Sequence, residues 1–149
     1  MNNSRTNTTV SNKAIVKQLY HNILQDNITD VLNTLADDVE WIFYGPSSIP
    51  MAGYYYGKMG VLQFFETANQ VEQLELFEPH EYIEGDNQVV VVGFQKATSI
   101  ETGKSFNCEW THIWNFKNGK VTCLRIFTDT AAIAAAYAAA DEDQNDSFL

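Results

Sequence analysis

Residues 105–117, SFNCEWTHIWNFK, alternate with a period of two. Phe106, Cys108, Trp110, His112, Trp114 and Phe116 fall on one side of an extended chain, and Asn107, Glu109, Thr111, Ile113, Asn115 and Lys117 on the other. The first set belongs to an interior, which makes His112 the lone ionisable side chain in a row of aromatic rings and a thiol. Burial disfavours the charged imidazolium, so the expectation is a neutral ring that donates from one nitrogen and accepts at the other. Such a group can move a proton or hold a carbonyl oxygen. A histidine on an apolar strand face is also, more often than not, a core residue with a satisfied hydrogen bond. Trp110 and Trp114 carry the same double reading, core or ligand platform. Three Trp, seven Tyr and nine Phe are many large rings for one small core, which leaves a pocket and a filled interior both open.

Other reactive residue types are less suggestive. Cys108 and Cys123 lack the C-x-x-C spacing of a zinc or redox site. In VTCLRIFTD, Arg125 argues that Leu124 and Ile126 face inward with Val121, Cys123, Arg125 and Phe127 outward, so the two thiols lie on opposite sides and cannot bond. His21 and His80 are scattered. Asp129 stands directly before an Ala-rich stretch and reads as a helix cap. Asp37, Asp38, Glu40 and Glu109 read as solvated, and the carboxylates as a whole fall at turns, tails and outer faces.

The elements that would position His112 follow from periodicity. Val16, Leu19, Tyr20 and Ile23 form one stripe of a helix capped by Ser11 or Asn12 and ending near Gln25; Ile28, Val31, Leu32 and Leu35 suggest a short second helix. VEWIFY, residues 39–44, reads as a strand. Residues 45–57, GPSSIPMAGYYYG, are rich in Gly and Pro and read as a loop whose Met51 and Tyr54 to Tyr56 cover something. Val61, Phe64, Phe65, Ala68 and Val71 give a third helical stripe ending near Gln73. Four strands follow, 74–83, 88–98, 105–117 and 120–128, separated by EGDN, ETGK and KNGK turns, and predict an antiparallel meander. A last helix starts in DTAAIAAAYAAA. Helices followed by a meander argue an α+β fold with a curved sheet.

The whole chain has 149 residues and 16.8 kDa, with nine Lys and Arg against nineteen Asp and Glu. That length supports one core, burying roughly 70% of the unfolded surface without disulfides or structural metal. A formal charge of −10 would repel a phosphate backbone, so nucleic acid is excluded as a partner. No apolar run reaches the ~20 residues of a membrane span, and MNNSRTNTTV lacks the apolar stretch of a signal peptide. The expectation is a soluble cytoplasmic protein with one domain over residues 11–140 between tails at 1–10 and 141–149.

The order of a helix with Leu19-Tyr20, LADDVEW, GPSSIPMAGYYYG, a Phe-rich helix, HIWNFKNGKV and RIFTDTAA resembles the SnoaL-like, ketosteroid-isomerase-related group of the nuclear-transport-factor-two-like superfamily, across residues 11–140. The resemblance implies a cone: a cystatin-like, bent antiparallel sheet wrapped around N-terminal helices and enclosing a deep apolar pocket. Its members include isomerases, polyketide cyclases, epoxide hydrolases, dehydratases and non-catalytic binders. Their catalytic carboxylates do not carry over. The isomerase base falls on Phe43, and its oxyanion pair falls on Leu19, beside Tyr20, and on His112. The cyclase acid/base falls on Ile126, and the Asp-Arg-Asp group of limonene-type epoxide hydrolases on Gly93, Gln95 and Ile126.

What the resemblance then implies is a pocket for a small apolar or carbonyl-bearing molecule, lined by Tyr20, Trp41, Phe43, Tyr55, Cys108, Trp110, Trp114 and Ile126 around His112 and roofed by the 45–57 loop. Two functions compete for it. One is a binder in which His112 only hydrogen-bonds; the other is a cofactor-free isomerase, cyclase or dehydratase with His112 as acid/base. The resemblance further implies a homodimer through the outer sheet face, with Ile113, Arg125 and Phe127.

Overall fold

The computed structural model describes residues 10–139, so apart from Val10 the two expected tails lie outside the described residues. Helix α1 (Asn12–Leu24) starts where Ser11 accepts a hydrogen bond from the Ala14 amide, and it buries Val16, Leu19 and Tyr20. Helix α2 (Ile28–Asn33) ends two residues early because Leu35 already belongs to β1 (Leu35–Phe43). Asp37 and Asp38 therefore sit within that strand, exposed, where its register shifts between Leu35 and Glu40.

The loop expected over 45–57 is a loop only in its first half. Its tyrosines form β2 (Gly53–Tyr56), an edge strand antiparallel to β1 with Trp41 opposite Tyr55. Helix α3 (Gly57–Val71) turns its Val61 and Phe64 inward. The meander follows as β3 (Glu72–Gly85), β4 (Gln88–Ser99), β5 (Ser105–Lys117) and β6 (Lys120–Thr128), and α4 (Thr130–Tyr137) ends the described elements. Asp129 caps α4 as its position implies, accepting from the Ala132 amide.

The six strands lie in the order β2-β1-β6-β5-β4-β3. All neighbours are antiparallel except β1 and β6, which run parallel and bring the first strand of the chain against the last. The sheet is thus mostly antiparallel rather than wholly so. A meander reading covers only consecutive strands, and it cannot see a pairing made across the whole chain. Bulges in β3 at Leu74/Leu76 and Pro79/Glu81 break the ladder where the sheet bends.

The alternation in β5 holds throughout: Phe106, Cys108, Trp110, His112, Trp114 and Phe116 are all buried. In β6, Leu124 and Ile126 are buried while Phe127 is exposed, as Arg125 predicted, but Val121, expected outward, is fully buried, because the register shift between Asn115 and Phe116 sets it opposite the inward Phe116. Gly93 stands opposite Trp110, whose indole lies across it. A Cβ there would overlap that ring and come within 2.6 Å of the Glu78 carbonyl oxygen. Among the described residues no helix is long and apolar enough to cross a membrane.

Candidate functional site

A cavity of about 580 Å³ opens inside the bend of the sheet. Helix α1 contributes Tyr20 and Ile23, β1 contributes Trp41 and Phe43, and α3 contributes Phe64 and Phe65. From the meander come Phe77, Phe106, His112, Trp114, Leu124 and Ile126, and the loop before β2 supplies Met51. Six of the nine residues singled out in the sequence therefore meet around one space: Tyr20, Trp41, Phe43, His112, Trp114 and Ile126.

Three do not. Tyr55 points its ring at Phe64, with centroids 5.3 Å apart, and donates its hydroxyl to the Met51 carbonyl at 2.9 Å. It braces the covering loop instead of touching the cavity. Trp110 is wedged into the wall, stacked on Phe77 at 4.7 Å and on His112 at 4.0 Å, because only the bare backbone of Gly93 makes room for its indole. Cys108 is buried beside Gln95, whose side-chain amide lies 3.9 Å from its sulfur, and burial pushes the thiol up. It behaves as packing rather than as a nucleophile. Cys123 sits on the other side of the sheet and both thiols are free.

The polar centre of the cavity is a chain of three rings. The indole N–H of Trp114 donates to the Tyr20 hydroxyl at 3.0 Å, and that oxygen lies 2.8 Å from Nδ1 of His112. An indole N–H is a donor only, so Tyr20 spends a lone pair on it. The Tyr20 proton then has one acceptor in reach, Nδ1. If Nδ1 carried the proton instead, a buried hydroxyl would be left with no acceptor, at a cost of about 1–3 kcal/mol. The satisfied arrangement places the imidazole proton on Nε2, and the hydrogen bonds of the described residues leave Nε2 without a protein partner. Burial pushes His112 down to about 3, so the ring is neutral in the physiological range. Burial also raises the Tyr20 phenol, which stays protonated.

A second polar group was not foreseen. Glu72, at the junction of α3 and β3, lines the cavity, accepts the Tyr137 hydroxyl at 2.8 Å, and has its carboxyl raised by burial. The sequence placed every carboxylate outside, because the end of the α3 stripe assigns Glu72 to a helix terminus, where acidic residues are normally wet. Asp26, in the left-handed region at φ 60°, lines the rim. The side chains of Trp41 and Thr128, both on the wall, hold buried polar atoms without a protein partner. Among the described residues no three His, Cys, Asp or Glu gather where they could hold a metal ion.

The model of the SnoaL-like domain matches residues 16–124, which contain every residue of the Trp114–Tyr20–His112 chain. The chain belongs to the SnoaL-like family. Solved structures agree. An NTF2-like protein from Burkholderia xenovorans is 28% identical over 85% of this chain and 95% of its own, with a TM-score of 0.79. One of unknown function from Burkholderia pseudomallei is 27% identical over 87% of this chain and 100% of its own, also at 0.79. TerC, co-crystallised with polyporic acid, is 25% identical over 85% and 97%, at 0.74. No curated protein matches the chain by sequence. This SnoaL-like chain thus has the NTF2-like fold, with His112 and Tyr20 at its cavity and apolar residues, Phe43 and Ile126, at positions where the resemblance implies carboxylates.

Proposed function

We propose that the cavity binds a small, largely aromatic molecule bearing a carbonyl group, and that the Nε2–H of His112 donates to that carbonyl oxygen. The observation that carries this reading is the hydrogen bond between Tyr20 and Nδ1, which leaves the Nε2–H of His112 free at a cavity walled largely by aromatic and aliphatic side chains. A directional donor set among rings selects a ligand with an acceptor and a flat apolar body. Co-crystallisation of the relative TerC with polyporic acid supports reading this fold as one that accommodates an organic ligand.

The same geometry favours binding or electrophilic polarisation over proton abstraction by His112. A ring held down to about 3 is a weak base, and its basic nitrogen, Nδ1, is already occupied by Tyr20. A neutral imidazole is nevertheless a competent donor to a developing oxyanion. The isomerase or cyclase reading therefore keeps His112 as the polarising group and needs its base elsewhere.

Titration with benzophenone, followed by quenching of tryptophan fluorescence, tests the reading. The wild-type chain should bind it, and His112→Phe should bind it about five- to tenfold more weakly, the worth of one hydrogen bond. Equal affinity in the two proteins would remove His112 from the site.

A further inference from the structure

The cavity walls carry two charged groups, Asp26 at the rim and Glu72 further in, and the lining residues include neither lysine nor arginine. His112 supplies no positive charge either, since it is neutral. Glu72 is placed by the switch from α3 to β3, with its backbone opposite Ser99 in the sheet. Its Oε1 accepts the hydroxyl of Tyr137, which α4 brings across from the far end of the chain. Tyr137 has spent its donor, and Oε2 has no protein partner among the described residues.

We propose that Glu72 is a second ligand anchor, accepting a hydrogen bond from a hydroxyl or amine on the molecule whose carbonyl meets His112, and excluding ligands that carry a carboxylate. This rests on the reading of the cavity as a ligand site. A donor group on the ligand would satisfy the free lone pairs of a half-buried carboxylate that is partly shielded from water. An anionic group would meet that same oxygen in a partly enclosed space whose lining holds no lysine or arginine to offset it. The ligand class is therefore a neutral or cationic aromatic ketone with a donor at the opposite end, such as a hydroxyaryl ketone.

Three probes sharing one skeleton separate the possibilities: benzophenone, 4-hydroxybenzophenone and 4-benzoylbenzoate, titrated into the full chain at pH 8. The wild type should bind the hydroxyl probe about tenfold more tightly than benzophenone and the carboxylate probe about tenfold more weakly. Glu72→Gln keeps an oxygen for Tyr137 and removes the charge, so both ratios should shrink to within about threefold. Equal affinity of the wild type for all three probes would overturn the assignment without any variant. Unchanged ratios in Glu72→Gln would overturn it while leaving His112 as the carbonyl donor. Failure of all three probes to bind would overturn this inference together with the reading of the cavity.

Discussion

Tyr20 and His112 stand 92 residues apart in sequence, and their side chains meet with the phenol oxygen 2.8 Å from Nδ1. The contact joins the first helix to β5, the third strand of the meander, and it fixes which imidazole nitrogen holds the proton. With Trp114 donating from the other side, the Tyr20 hydroxyl links two strand residues through one oxygen and leaves Nε2 of His112 facing the cavity.

Removing that hydroxyl should therefore do two things at once. Tyr20→Phe leaves the Trp114 indole and Nδ1 without partners, at about 1–3 kcal/mol of stability in urea denaturation. Nitrogen NMR of the histidine ring should show protonated Nε2 and bare Nδ1 in the wild type, and a mixture of tautomers in the variant.

Stability should depend on pH through His112, with a defined sign. The folded ring titrates near 3 and the unfolded one near 6.5, so between these values the unfolded chain holds the extra proton. Stability tied to His112 is present above the unfolded value and is lost as pH falls through that window, by up to about 1.4 kcal/mol per pH unit. The carboxyl of Glu72, raised by burial, works in the opposite direction, so the comparison is between proteins: His112→Gln should show a flatter fall than wild type from pH 6.5 to 4.

Gly93→Ala should cost about 1–3 kcal/mol, because the new methyl overlaps the Trp110 indole and crowds the Glu78 carbonyl. Trp110 carries the stack beneath His112, so weaker benzophenone binding should accompany the lower denaturation midpoint.

Asp129→Ala should remove the cap of α4 and about 1 kcal/mol with it. A looser α4 releases Tyr137 from Glu72, so the preference for 4-hydroxybenzophenone over benzophenone should also change, read in the same fluorescence titration.

Pairing of two copies through the outer sheet face, where Phe127 stacks on Tyr44 at 4.8 Å with both rings exposed, predicts twice 16.8 kDa by light scattering at micromolar concentration. Phe127→Glu should then return the monomer mass.

Much of the site was legible because β5 is strictly periodic: a six-residue inward row can only face a core, and His112 stands out in it. Ile126 and Leu124 were placed by the cost of burying Arg125. Three things were hidden. β2 was masked by the Gly and Pro residues within and around it. The parallel β1–β6 pair joins strands separated by the whole of the intervening chain, which local pattern does not encode. Glu72 was hidden because its partner, Tyr137 of α4, lies 65 residues away. Trp110 shows the limit of alternation: period two assigns a face, but it does not say whether a buried ring touches a cavity or plugs a wall.

Donation from the Nε2–H of His112 to a ligand carbonyl is read directly by the infrared carbonyl stretch of bound, carbon-13-labelled benzophenone. The band should shift to lower frequency in the wild-type complex and return toward its position in apolar solvent in His112→Phe. A band at the apolar-solvent frequency in the wild-type complex, or one unmoved by His112→Phe, would contradict it.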